Sequence, residues 1–479
     1  MSTDIVLINP PFENISKGFS CVKHIVNASP SLGLLHIAAM LRQAGYGVAI
    51  IESDAQRLTP EQVAKKALSM RPKYIGITLF TVGVDNARII AKAIKKNASI
   101  PVIVGGPHIS SMGKETLERF SEFDVGVLHE GEFAVTQILD AYEGKIAFDA
   151  IGGILFRRNG TLVQTPPSTQ KIDLDALPLP AWDLLPDFPR AYPLAIFGYP
   201  KGPVATFSAS RGCPFKCAFC DTSTFGSKIR YYSPKKVFEI MRFLQEKYGI
   251  KHLQFVDDLF VANKKRITEL CDLIIQNNFK MTWSCTARVD TVKPEILAKM
   301  KQAGCWEISY GLESGSNRML EIMKKSVTVE QAEQAVHWTH EAGIRCKGLF
   351  MLGYPGEDEE SIAQTKAYVQ RLPMTLMNMT KFTPYPGTPI YIELFGTTIR
   401  KEDWDKMNGM NFIYKPENIA VEKLDGEYKA ILTDFYMRPH IKKLYVKLAL
   451  QNPNHLWRLL KTGICTLKQK LIATLPYRR

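Results

Sequence analysis

Short β-branched runs alternate with helix-period stretches over most of this 479-residue chain, and that alternation admits few folds. In the first third the runs are Asp4–Asn9, Tyr46–Ile51, Tyr74–Thr78 and Val102–Gly106. Helical spacing fills Leu34–Gln43, Pro60–Met70, Val84–Lys95 and Lys114–Phe120. Strands joined through helices pair in parallel by right-handed crossovers. Residues 1–145 are therefore expected to form a doubly wound, Rossmann-like parallel sheet. A proline-rich linker, residues 146–200, follows, with a small hairpin predicted around Asn159-Gly160. The alternation then resumes: Val204–Ser208, Lys251–Val256, Met281–Thr286, Cys305–Tyr310, Ile344–Met351 and Thr375–Thr380. A closed barrel of eight such units needs ~250 residues. About six units in residues 201–400 predict a partial (β/α)6 TIM barrel, and residues 401–479 read as a helical C-terminal region. The fold class is α/β.

Composition narrows the function. Apolar residues make up 46% and charged residues 23%, an ordinary globular balance that excludes disordered or collagenous chains. No apolar run approaches the ~18 residues of a membrane-spanning helix. The N-terminus lacks a basic segment, and Pro10-Pro11 interrupts its apolar run, so no secretory signal is expected. Nine cysteines, an odd number with three clustered, suit a reducing, cytoplasmic setting and a metal site better than a disulfide framework.

Doubly wound sheets bind ligands at the carboxyl ends of their strands. The loops expected there carry Asn9-Pro-Pro-Phe12, Thr78-Leu-Phe-Thr81, Gly105-Gly106-Pro-His108 and His129-Glu130-Gly131-Glu132. No G-x-G-x-x-G opens the first helix and no G-K-[ST] loop is present, which disfavours dinucleotide and P-loop sites.

The strongest chemical signal is Arg211-Gly-Cys213-Pro-Phe-Lys-Cys217-Ala-Phe219-Cys220, a C-x3-C-x2-C loop after a predicted strand. Three thiolates on one short loop can each hold one iron of a [4Fe–4S] cube and leave the fourth iron open. Structural zinc needs four protein ligands, usually in paired C-x2-C units, and no partner pair exists. Cys271, Cys285, Cys305 and Cys346 read as buried small residues, and Cys21 and Cys465 have no assigned role.

The triad resembles that of the radical SAM superfamily, which places S-adenosylmethionine (SAM) on the open iron. The resemblance runs from about residue 1 to 400. Asn9-Pro-Pro, Pro30-x-Leu-Gly-Leu34, Gly105-Gly-Pro-His108 and Glu130-Gly-Glu132 are similar to the cobalamin-binding domain of its cobalamin-dependent members. The Asp-x-His-x-x-Gly sextet of methionine-synthase-type carriers is absent; His24, His36, His108 and His129 are nearby histidines, each more simply read as structural. The resemblance implies that Asp257-Asp258 meets the SAM amino group, that Arg288 pairs with its carboxylate or contacts the ribose, and that Glu313 of Gly311-Leu-Glu-Ser314-Gly faces SAM. Tyr385, in Thr383-Pro-Tyr-Pro-Gly-Thr-Pro389, is expected to face substrate as a catalytic residue. Asn9, Thr78, Gly105, Gly106, His108, Glu130 and Gly131 would hold cobalamin.

The segment Arg438–Arg479 holds ten of the chain's net +14 charges and no acidic residue. Ile441, Leu444, Tyr445 and Leu448 share a helical stripe, and Leu456, Leu460, Ile464, Leu467, Leu471 and Leu475 repeat the spacing. Three readings stand: contact with an anionic membrane surface, a cap over the barrel mouth, and nucleic-acid binding, the last disfavoured by the scarcity of stacking aromatics. The chain is closest in pattern to the branch with the anaerobic magnesium-protoporphyrin ester cyclases and hopanoid-tailoring enzymes. That resemblance implies radical methylation, cyclisation or rearrangement at an unactivated C–H of a hydrophobic, lipid- or tetrapyrrole-like substrate, with electrons from a donor such as ferredoxin or flavodoxin. The alternatives are a tRNA methylthiotransferase-like enzyme and a non-catalytic, membrane-peripheral binding protein.

Overall fold

Two parallel sheets carry the molecule. In the computed structural model, residues 3–12, 27–396 and 400–462 are described. His24, Cys21, Cys465 and the tail's Ile464, Leu467, Leu471 and Leu475 lie outside them. The first sheet is built from β1 (Ile5–Asn9), α1 (Leu32–Gln43), β2 (Val48–Glu52), α2 (Pro60–Ser69), β3 (Tyr74–Thr78), α3 (Val84–Asn97), β4 (Val102–Gly105), α4 (Pro107–Arg119), β5 (Val125–Val127) and α5 (Glu132–Tyr142). Its order is β2-β1-β3-β4-β5, all parallel, extended by an antiparallel hairpin, β6 (Ile154–Arg158) and β7 (Thr161–Gln164). The hairpin turns at Asn159 and Gly160, both at positive φ as a tight two-residue turn demands. It pairs with β5, so the first sheet runs on to Gln164 and the hairpin is part of it.

The helices bury the faces that their spacing dictates. Val84, Ala87, Ile90, Ala91 and Ile94 line the inner side of α3 against β1 and β3. Thr59 caps α2 in a reciprocal capping box with Gln62. Helix α4 starts seven residues earlier than the sequence pattern indicates, because a kink at Met112 interrupts its period.

The second sheet is open: β8 (Val204–Phe207), β11 (His252–Phe255), β12 (Thr282–Ala287), β13 (Cys305–Glu313), β14 (Arg345–Leu352) and β15 (Leu376–Lys381). A two-strand ribbon, β9 (Ser210–Arg211) with β10 (Arg230–Tyr231), brackets the cysteine loop. The six strands run in parallel in the order β15-β14-β13-β12-β11-β8, the expected partial barrel. Helices α6 (Pro234–Tyr248), α7 (Lys264–Gln276), α8 (Pro294–Gln302), α9 (Val329–Glu341) and α10 (Glu359–Arg371) follow successive strands. One apolar cluster runs through the barrel, and α1 and α5 of the first domain join it.

The open barrel leaves two sheet edges, β8 and β15, and backbone at such edges needs covering. At β15 a C-terminal helix supplies this cover. Helix α11 (Val421–Tyr436) runs along β15, with Tyr428 donating to the Met379 carbonyl and Tyr436 to that of Met377. Helix α12 (Pro439–Gln451) and a further helix at 453–462 then cross beneath the strand starts. Tyr445 donates to the Thr375 carbonyl, 2.9 Å, and stacks on Phe197 with centroids 4.6 Å apart. Arg458 donates to the Leu194 carbonyl, 2.6 Å, and Arg345, the first residue of β14, to that of Phe197, 3.0 Å. The stripe that the sequence offered to a membrane, Ile441, Tyr445 and Leu448, is therefore turned into the protein, and it closes the barrel floor rather than the mouth.

Tyr445→Ala should lower unfolding stability by about 2–3 kcal/mol, the cost of a lost aromatic packing partner plus its hydrogen bond. Chemical denaturation measures it; an unchanged midpoint would mean that the floor contact contributes nothing.

Candidate functional site

The carboxyl ends of the two sheets face one another across a cavity of about 1070 Å³, at or above the ~300–1,000 Å³ usual for small-molecule sites. From the first domain come Asn9, Thr78, Gly105, Gly106, Glu130 and Gly131; from the barrel come Cys213, Phe219, Cys220, Asp258 and Tyr385. Gly106 has a φ of 104°, and a Cβ there would meet the Leu79 carbonyl oxygen at 2.9 Å. Only glycine keeps that turn flush with the cavity.

An ionic clamp sets the two halves in register. Arg211, two residues before Cys213, is buried and reaches across the domains to Glu130 at 2.6 Å and Glu132 at 2.7 Å. Arg230, from the paired strand, completes the group at 2.7 Å from Glu130. Sequence reading placed Glu130 in the cavity and missed Arg211, whose partners lie some eighty residues away.

The cysteine loop hangs from this clamp. Gly212 sits at a φ of 92°, where a side chain would run into the Lys228 carbonyl. The seven described cysteines are all free. Among the described residues no three His, Cys, Asp or Glu side chains converge tightly enough for a single ion. A cube asks for something else, three thiolates each on its own iron. Burial pushes the Cys220 thiol up to about 12, helped by Cys217, Cys213 and Asp258, and burial likewise raises Cys213. Ionisation of these thiols would have to be driven by a metal bound to them.

Cys217 is buried deeper. Arg288 lies over the Phe215 ring at 3.6 Å and points Nη1 at Cys217 Sγ, 3.8 Å away. Its other nitrogens are committed to Asp290, 3.0 Å, and to the Lys325 carbonyl, 2.9 Å. Arg288 thus braces the loop in this state. Glu313 stands at a φ of 60° beside a register shift between β13 and β14, a bulge that re-aims the strand end. It is paired with buried Lys325 at 2.7 Å, a partner that no motif singles out.

Three expected site residues point elsewhere. His108 does not line the cavity: both ring nitrogens are taken, by Thr81 at 3.0 Å and Thr116 at 2.9 Å, and its ring packs on Trp404. Burial holds it at about 3, so it is neutral. Ser314 is turned into α10, 3.1 Å from Thr365 Oγ1. Asp257 is buried under the loop, accepting from the Ala209 amide at 3.0 Å and from the Ser210 hydroxyl, and burial lifts it to about 6. Asp258 is the one of the pair that faces the cavity.

Comparison with known proteins decides the family. Residues 207–369 match the model of the radical SAM superfamily, and residues 21–139 match the B12 binding domain. An uncharacterized methyltransferase of Pyrococcus horikoshii is 32% identical over 442 residues, covering 91% of this chain and 93% of that protein. The chain belongs to the cobalamin-dependent radical SAM family. An anaerobic magnesium-protoporphyrin IX monomethyl ester cyclase of Rubrivivax gelatinosus is 26% identical over 87% of this chain and 75% of its own length. The fold is shared with the radical SAM methyltransferase TsrM from Kitasatospora setae, whose structure holds cobalamin and a [4Fe–4S] cluster. That match has a TM-score of 0.66 at 19% identity, over 82% of this chain and 74% of the other. The protein is thus an enzyme of the methyltransferase and cyclase group, with a domain for a [4Fe–4S] cluster and SAM and a domain for cobalamin. A B12-binding domain stands where a methylthiotransferase would carry a cysteine-rich one.

The residues present fit these groups. Beside the glycine cradle, Asn9 Oδ1 and His36 Nδ1 are buried on the cavity wall without a hydrogen-bond partner among the described residues. They leave polar capacity for an amide-rich ligand such as cobalamin. Asn9 is oriented by Glu52, which accepts from its Nδ2 at 2.8 Å and from the Ser31 amide at 2.8 Å.

Burial lifts Glu52 from 4.5 to about 7 despite these two bonds. Between those values the folded chain keeps a proton that the unfolded chain has released, so unfolding stability falls as pH rises through the window. Glu52→Gln is expected to flatten that slope, worth on the order of 3 kcal/mol across the window. Denaturation midpoints at pH 4.5, 6 and 8 test it; a slope identical to the parent's would remove Glu52 as its source.

Proposed function

We propose that this enzyme methylates, cyclises or rearranges an unactivated C–H position of a hydrophobic small molecule, lipid-like or tetrapyrrole-like. One observation carries the reading. The cavity that joins the Gly105-Gly106 cradle to Cys213 and Cys220 is walled by side chains that a soluble surface normally hides: Phe80, Phe225, Val256 and Tyr385 are all exposed within it. Contiguous exposed apolar surface of this kind marks a ligand or partner site.

Under this reading Cys213, Cys217 and Cys220 hold the cluster, with Phe219 packed beside them. Asp258 and Glu313 take the SAM amino group, and Arg288 takes its carboxylate once it releases Asp290. Asn9, Thr78, Gly105, Gly106, Glu130 and Gly131 hold cobalamin. The cofactors, when bound, supply the radical and methyl-transfer chemistry. The chain's part is to orient the reactants and to keep water from them, which the apolar walls do. Tyr385 closes the wall on the barrel side and positions substrate. Electrons come from a donor such as ferredoxin or flavodoxin. No helix of the described residues is long and apolar enough to cross a membrane; the basic C-terminal segment holds the enzyme peripherally at the inner membrane face.

Anaerobic reconstitution with iron, sulfide and hydroxocobalamin, followed by SAM and a reductant, tests the reading. Cys213→Ala, Cys217→Ala and Cys220→Ala should each abolish 5′-deoxyadenosine formation, whereas Glu313→Gln should keep the iron and weaken SAM binding. A cysteine variant that still cleaves SAM at the parental rate would refute the cluster assignment.

Tyr385→Phe should leave SAM cleavage in the absence of substrate at its parental rate. Product formed per 5′-deoxyadenosine should drop at least severalfold. Unchanged coupling would reduce Tyr385 to a wall residue.

A further inference from the structure

The basic C-terminal segment has two apolar faces. The first is spent: Ile441, Tyr445 and Leu448 pack on the barrel floor. The second is bare. Val446 is 61% exposed, Leu450 72%, Trp457 57% and Leu460 51%. These residues lie on the two helices that cross beneath the strand starts. Exposed Lys442, Lys443, Lys447 and Lys461 surround them, and Lys461 leans over the Trp457 ring at 5.1 Å. No acidic residue occurs from Arg438 onward.

Charge decides the occupant. A protein partner for bare Val, Leu and Trp would need nothing more than an apolar groove. A segment whose own ionised side chains are all cationic, with a tryptophan among the aliphatics, matches the headgroup boundary of an anionic bilayer.

Position adds what the sequence could not. The segment is fastened to residues at the strand starts: Leu194 and Pro200 ahead of β8, and Thr375 ahead of β15. The cavity lies at the strand ends, lined there by Ser208, Val256 and Asp258. At ~3.3 Å per residue the eight-residue β14 separates the two levels by roughly 25 Å. An amphipathic helix sinks only ~5–10 Å into a bilayer.

We infer that the enzyme, given the peripheral contact proposed above, meets an anionic bilayer with its barrel floor and turns the cofactor cavity away from it. Substrate then enters the cavity from the aqueous side and is not drawn directly out of the membrane.

The test is flotation of the holoenzyme with phosphatidylglycerol/phosphatidylcholine vesicles at low salt, in parallel with two exposed-face variants. Val446→Glu with Leu450→Glu changes the floor, and Phe80→Glu with Phe225→Glu changes the cavity mouth. Thermal unfolding verifies that each pair is folded. The floor pair should lower the bound fraction by roughly tenfold and retain parental SAM cleavage; the mouth pair should float like the parent. Native Trp457 gives a second readout that needs neither pair. Vesicles with brominated acyl chains should quench part of the parental tryptophan fluorescence, and Trp457→Phe should abolish that part. Loss of flotation in the mouth pair, or its retention in the floor pair, overturns the orientation. Equal flotation with pure phosphatidylcholine overturns the anionic assignment. A parental enzyme that ignores both vesicle types refutes the peripheral contact itself and leaves the face to a protein partner.

Discussion

The architecture depends on one buried guanidinium. Arg211 is held between Glu130 and Glu132 of the opposite domain, out of reach of water, and Cys213 follows it by two residues. Removing a single partner from such a group leaves an uncompensated buried charge, typically a cost of ~3–5 kcal/mol. The clamp does more than join two domains. It fixes the distance and angle between the cysteine loop and the loop that closes the cobalamin-type cradle. Any relative sliding of the sheets would have to strip a carboxylate from its cation first.

The other elements of the site follow from the direction of the strands. Both sheets are parallel, so each collects its loops at one end, and the two ends are turned toward each other. Loops from different strands then share one enclosure without long insertions. Much of the wall is apolar because it is made of residues that finish strands or begin loops, with Glu130 and Asp258 among them. Other charged groups are set behind it: Arg288 with Asp290, Glu313 with Lys325, Asp257 with the Ser210 hydroxyl and the Ala209 amide. Polarity is available one layer down, where it can hold the cysteine loop without hydrating the space in front of it.

Much of this was legible in the sequence wherever the signal is local. Tyr74–Thr78 and the apolar period of α3 are readable because β-branched runs and 3.6-residue spacing are properties of neighbouring residues. The three cysteines are readable because their C-x3-C-x2-C spacing is a local pattern. What escaped is what long-range packing decides. Strand β5 has three residues, too few for a periodic signal, and Met112 breaks the spacing of α4. His108 occupies a loop that borders the cavity, yet Trp404, almost three hundred residues away, and two threonines turn its ring inward. Lys325 stands in no motif, and Arg211 opens the cysteine motif without a role that spacing reveals; the importance of both lies in the carboxylates that folding brings to them. The tail's amphipathic period was visible, but the choice of which stripe faces the protein was made by Phe197 and Thr375.

The covered floor has a consequence for the order in which the enzyme is made. Helix α12 and the helix after it tie the lead-in to the first barrel strand to the start of the last one. They emerge from the ribosome after every strand of both sheets. Until then the barrel is a sheet with an uncapped base, the kind of intermediate that associates wrongly while it waits. Completion of the barrel therefore waits on helices made after its last strand, and a nascent chain stalled between Cys220 and Pro439 holds all three cysteines yet lacks the brace beneath them.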